Sequence, residues 1–171
     1  MAELTPKERL QPSLLDRLTD DEPDQKQEAR EQRVMSMRRL RQSVLRDLGW
    51  LLNSGNLGSV EDLEDCPMVA HSVVNYGLPD LAGQAASGMD LPAVERALRQ
   101  AIWDFEPRIL RNSVKIRSVV AQDQMNRNAV AFEIEGELWA QPVPLHLFLR
   151  TEVDLDSGTF SVSDASVSGS G

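Results

Sequence analysis

The chain has 171 residues, 41% hydrophobic and 26% charged, enough for one domain with a substantial core. A net charge of −9 and a pI near 4.7 argue against a surface built for phosphate backbones, which needs clustered lysine and arginine. The single cysteine, Cys66, excludes an internal disulfide framework and a cysteine-based zinc site, and it fits a reducing compartment.

The first residues, MAELTPKERL, lack the basic-then-apolar pattern of a signal peptide, and no apolar run is long enough to cross a bilayer. The expectation is a soluble, cytoplasmic protein without membrane insertion. Residues 1–32 read as a polar tail of mixed charge. Within it, Leu14, Leu15 and Leu18 make one short apolar face. That face has two readings: a turn of helix capping its own domain, or a short segment that docks on a partner groove.

A single domain is expected over 33–163. From Arg33 to Leu52 the period is helical, with Met37, Leu40, Val44, Leu48 and Leu51 on one stripe. Arg38, Arg39, Arg41 and Arg46 lie mostly off it, as a solvated face or as a surface for acidic partner groups. Asn53-Ser54-Gly55-Asn56 should stop the helix through left-handed backbone. Residues 61–76 suggest a second helix, with Pro67 near its start and Val69, Val73 and Tyr76 on one apolar side. Ala82 to Gly88 reads as a flexible connection.

The clearest helix follows. Asp90 suits its N-cap and Pro92 its first turn. Val94, Ala97, Leu98, Ala101, Ile102 and Phe105 form the apolar stripe, while Glu95 and Arg99 are spaced to pair on the other face. Pro107 disfavours helical geometry at Glu106, so the helix should end there.

Beyond that point the period becomes two. Strands are expected around Val114–Arg117, Val130–Leu138, Leu145–Leu155 and Thr159–Val162, with a hairpin turn at Asp156-Ser157-Gly158. The Ser/Gly end, residues 164–171, reads as disordered. Helices first and strands afterwards predict an α+β domain, with the N-terminal helices on one face of a small, mainly antiparallel sheet.

Catalytic patterns are weak. A glycosidase needs two facing carboxylates, one in an apolar pocket. Glu106 beside Trp103 and Phe105 could imitate that acid, but no second carboxylate stands out among the 27 acidic residues. His71 and His146 are far apart, and His146 falls on the polar side of its strand. Cys66 lies in an acidic stretch that disfavours a thiolate. Neither HExxH, nor a Walker loop, nor GxGxxG occurs. Nothing in the pattern calls for a metal or a cofactor. This argues for a protein that binds proteins.

The stretch Glu106-Pro107-Arg108 holds two opposite charges around a residue with fixed φ. One reading is a surface ion pair that caps the helix end, contributing about 0–1 kcal/mol. The other is a partner-binding element, since arginine offers a planar fork to carboxylates and a proline-locked turn loses little entropy when held.

Five blocks carry a resemblance: PSLLDRLTDDEP, RQSVLRDLGWLLNS, SVVNYGLPDL, FEPRI and FEIEGELWAQPVPLHLFLRTEVDLDSGTF. Together they resemble the TssE family of type VI secretion baseplate subunits, relatives of the lysozyme-like wedge protein of contractile-tailed phages. The family signature is Glu-Pro-Arg, which stands intact at Glu106, Pro107 and Arg108. The resemblance implies a non-enzymatic wedge component that binds TssF and TssG through that signature, with TssK attached peripherally. It further implies that the strand region templates the TssB/TssC sheath around the Hcp tube and VgrG spike. The baseplate would sit at the cytoplasmic side of the inner membrane. A stress-response anti-adaptor of the same fold is the alternative that the resemblance leaves, followed by a lysozyme-like hydrolase.

Overall fold

The computed structural model describes residues 14–18, 37–119, 128–139 and 144–165. The expectations for most of the N-terminal tail, for residues 33–36 and for 166–171 lie outside them. The described chain runs through α1 (Leu14–Leu18), α2 (Met37–Leu52), α3 (Pro67–Ala70), α4 (Leu91–Phe105), β1 (Lys115–Val119), β2 (Ala129–Leu138), β3 (Leu145–Asp154) and β4 (Thr159–Asp164). The α+β expectation holds, with helices first and a four-stranded sheet after them.

The sheet is an antiparallel meander in the order β1-β2-β3-β4. Its register puts Ile116, Ile134 and Leu149 in one row, and Phe132, Thr151 and Val162 in the next. Val130, Val153 and Phe160 make a third. These rows form the inner face, because the side-chain period of a strand is two. α2 packs over β4, α4 packs over β1, and the two helices touch each other. Leu40, Val44, Leu48 and Leu51 of α2 meet Val94, Leu98, Ala101 and Ile102 of α4 in the core above Phe132. On the outer face opposite charges align across strands: Lys115 with Glu135, Arg117 with Glu133, and Glu133 with Arg150.

α4 begins as its sequence predicts. The Asp90 side chain accepts from the Ala93 N–H, and Pro92 sits in the first turn. Glu95 departs from expectation. Its carboxylate turns from Arg99 to the edge of the sheet and accepts the Ser118 N–H at 2.7 Å.

Two further expectations are corrected. The stretch 61–76 is not one helix: α3 is followed by a 3₁₀ turn at Val73–Asn75. Ser72 and Asn75 compete for the backbone there. Ser72 Oγ donates to Val69 O at 2.9 Å and Asn75 Nδ2 to Ala70 O at 2.8 Å. Val73 therefore ends on the surface, 81% exposed. Nor does α2 stop through left-handed backbone, since positive φ among the described residues occurs only at Gly77, Gly83 and Gly158. Instead, Ser54 O accepts the Leu78 N–H at 2.8 Å and Leu78 O accepts the Asn56 N–H at 3.0 Å. Gly77 makes this seam possible: at φ +121° a Cβ there would lie 2.2 Å from Ser54 O. The connection at 82–88 contains a 3₁₀ turn at Ala86–Gly88, and β4 continues two residues beyond its predicted end, to Asp164.

Candidate partner-binding site

α4 ends where Pro107 requires it to. Glu106 is the C-cap, and its N–H donates to Ile102 O at 2.9 Å. The chain turns through Pro107, which is exposed, and Ile109 donates back to Glu106 O at 3.1 Å. It then runs along β2: Trp139 N–H donates to Arg108 O at 2.7 Å, and Leu110 N–H to Glu137 O at 2.9 Å. Gly136 leaves room for this approach, since a Cβ there would sit 3.0 Å from Ile109 Cγ2. Trp103 and Arg111 tie the two sides together by exchanging side-chain-to-carbonyl hydrogen bonds at 3.0 and 2.9 Å. The Glu-Pro-Arg turn is thus fixed between a helix end and the sheet.

Glu106 is only 3% exposed, so its charge needs an internal partner. Arg108 supplies it. Arg108 Nε donates to Oε1 at 2.6 Å, its terminal nitrogen pairs with Oε2, and its backbone N–H reaches Oε1 at 3.2 Å. The same guanidinium donates to Ser43 Oγ at 2.8 Å and Asp47 Oδ2 at 2.6 Å, both on α2. Ser43 and Asp47 are four residues apart and share one helix face.

The network closes on itself. Arg46 Nε donates to Asp47 Oδ1 at 2.9 Å, and Arg46 reaches Asp16 Oδ1 of α1 at 2.8 Å. Ser43 Oγ donates to Asp16 Oδ2 at 2.9 Å. Asp16, Arg46, Asp47, Arg108 and Ser43 form a ring, with Glu106 held on its inner side. Burial alone would lower the Arg108 guanidinium, but Glu106 and Asp47 outweigh it and raise its pKa. Arg46 follows the same pattern through Asp16 and Asp47. Both arginines stay charged throughout the working pH range.

Beside the ring lies an open cleft of about 280 Å³ lined by Leu15, Trp50, Leu51, Tyr76 and Phe105, with Asp47, Glu106 and Arg108 on its polar wall. Tyr76 and Phe105 meet edge to face at 5.2 Å. Burial raises the Tyr76 pKa, and the charges of Asp47 and Glu106 raise it further. Trp50 is 52% exposed, with the Arg46 guanidinium 5.1 Å from its ring centre.

The structure brings all three sequence-predicted residues together, in a different balance from a surface pair. Glu106 is internal, Pro107 is exposed, and Arg108 spans the two. Sequence reading missed Asp16, Ser43, Arg46 and Asp47 as members of the site. The available signal was polar residues at 43 and 47, one position before stripe residues Val44 and Leu48. The arginine group divides: Arg41 pairs with Asp164 at 2.7 Å, Arg46 joins the ring, and Arg38 and Arg39 are exposed.

Other titratable groups lie apart from the ring. His71 Nδ1 is 2.8 Å from Asp104, while His146 and Cys66 are exposed. Both oxygens of Glu106 accept from Arg108, which suits it poorly for donating a proton to a substrate. Among the described residues no His/Cys/Asp/Glu cluster could hold a metal ion, and no helix is long and apolar enough to cross a membrane.

The family model for baseplate wedge protein gp25 matches residues 38–143. That range includes α2 but for its first residue, α3, α4, the Glu-Pro-Arg turn, β1 and β2, and leaves α1, β3 and β4 outside it. No curated protein and no solved structure matches the chain. With more than half of its residues matched, and the Glu106-Pro107-Arg108 turn within them, the chain belongs to the gp25 baseplate wedge family.

Proposed function

We propose that the chain is a non-enzymatic wedge subunit of a type VI secretion baseplate, acting as TssE does. It binds the TssF/TssG part of the wedge, to which TssK attaches, and helps to start the TssB/TssC sheath around the Hcp tube and VgrG spike. It works at the cytoplasmic side of the inner membrane. The observation that carries this reading is the site itself. A half-exposed Trp50 lines an open cleft whose polar wall is rigidly paired, and the exposed Pro107 lies between two residues of that wall, Glu106 and Arg108. A preorganised surface of this kind loses little freedom when a partner docks.

The sheet edges support the sheath part of the reading. β1 carries Lys115 and Arg117, and Glu95 takes its Ser118 N–H. Charged edge strands resist further pairing. β4 has the sequence TFSVSD, without lysine, arginine or proline. Asn53 covers only Phe160 there, accepting its N–H at 2.9 Å and donating to its carbonyl at 3.0 Å. The Val162 end of β4 is therefore the edge this reading offers to a sheath strand.

The test must separate binding from folding, because Glu106 is internal. A Glu106→Gln/Arg108→Met double variant removes the buried pair while keeping its shape, and Trp50→Ser alters the cleft wall alone. Both should melt close to wild type and fail to co-purify with TssF and TssG. Wild-type recovery of the complex by the Glu106→Gln/Arg108→Met variant would refute the reading.

A further inference from the structure

The five-residue helix α1 lies outside the family-matched range, yet it is built into the ring around Arg108. Asp16 makes the attachment, with one oxygen accepting from Ser43 and the other from Arg46. Ser43 is 5% exposed and also accepts from Arg108. One hydroxyl thus links the N-terminal segment to the Glu-Pro-Arg turn. The contact places Leu15 in the lining of the cleft, together with Trp50, Tyr76 and Phe105.

Whether α1 plugs the cleft or walls it is decided by volume. About 280 Å³ stays open with α1 docked, so Leu15 lines the space without filling it. That volume lies at or below the lower end of small-molecule sites, roughly 300–1,000 Å³. It suits one or two side chains of a protein partner, and buried aromatic or leucine-sized side chains often dominate such interfaces. The lining is mixed: beside the apolar and aromatic residues stand two carboxylates, Asp47 and Glu106, and one guanidinium, Arg108. The chain as a whole carries −9.

We infer that α1 is a wall of the partner socket, positioned by Asp16, and that the socket takes a leucine or aromatic side chain from a partner helix with a lysine or arginine beside it. This rests on the wedge-binding reading above. α1 is then part of the binding surface, and it acts through position: Asp16 holds Leu15 against the incoming side chain. Leu18, 74% exposed and not among the cleft-lining residues, has no part in the socket.

The experiment uses the full chain and a purified TssF–TssG complex as the probe. Asp16→Ala and Leu15→Ser should each weaken binding at least ten-fold with the melting curve unchanged, while Leu18→Ser stays within two-fold of wild type. A photoreactive residue at position 15 should cross-link to a helix of the probe. Wild-type affinity for both Asp16→Ala and Leu15→Ser overturns the inference. So does tighter binding of Leu15→Ser, which would make α1 a plug. The Glu106→Gln/Arg108→Met variant distinguishes the two levels. If it loses binding while the α1 variants keep it, only the role of α1 fails; if it binds as wild type, the wedge-binding reading fails and the inference with it.

Discussion

Replacing Arg108 with methionine gives the sharpest test of the ring. The change keeps the length of the side chain and removes every side-chain donor to Glu106. That carboxylate is 3% exposed, and it would keep only the 3.2 Å hydrogen bond from the residue 108 backbone. Breaking a buried pair by removing one partner costs about 3–5 kcal/mol, because the remaining charge is desolvated and uncompensated. The Asp47 contact adds little, since Asp47 and Arg108 are each 23% exposed and water screens them. The lower end, about 3 kcal/mol, is therefore expected, a fall of roughly 6–12 °C in melting temperature for a chain of this size. Glu106→Gln alone should also destabilise, leaving Arg108 without its main counter-charge. The double variant should recover most of the loss, since neither charge is then stranded. Urea denaturation of the four proteins gives the coupling energy directly. Additive losses, or an Arg108→Met variant within about 0.5 kcal/mol of wild type at unchanged m, would refute the buried-pair reasoning.

Gly77→Ala should destabilise by several kcal/mol, since a Cβ would overlap Ser54 O and φ is positive; thermal melting measures it, and a neutral effect would contradict the seam. Tyr76 is the sole tyrosine, so absorbance near 295 nm reads it alone. Its phenol should ionise above the ordinary value of about 10, because burial and then Asp47 and Glu106 raise it. The stability Tyr76 contributes is then fully present below pH ~10 and lost as pH rises through the higher folded value; a midpoint at or below that of free tyrosine contradicts the placement. Val162→Pro should leave TssF–TssG binding intact and stop sheath assembly in a reconstituted system. Normal sheath growth would exclude β4 as the template edge.

Much of this fold can be read from period alone. The stripe from Val94 to Phe105 and the alternation from Leu145 to Leu155 each reflect one dominant force, burial of an apolar face, and both elements form where that force places them. The 61–76 stretch misleads because Ser72 and Asn75 outcompete a weak helix with their own side chains. Asn53 looks like a helix stop because asparagine tolerates left-handed backbone, whereas its amide engages Phe160 from 107 residues away. The site shows the same division. Pro107 fixes the helix end locally, so the position of Glu106 and Arg108 is legible. Their burial depends on α2 and α1 arriving from distant parts of the chain, and no local pattern contains Asp16, Ser43 or Asp47 as partners. Of the two sequence readings of the turn, the capping ion pair is present but internal at Glu106 rather than a surface pair, and it lines the cleft.

The most direct measurement of the central claim is a cryo-EM structure of this chain bound to TssF and TssG. The account predicts the Glu106-Pro107-Arg108 turn at the contact, with its ring intact and a partner side chain between Leu15, Trp50, Tyr76 and Phe105. A complex in which that cleft faces solvent and TssF and TssG dock elsewhere would contradict it.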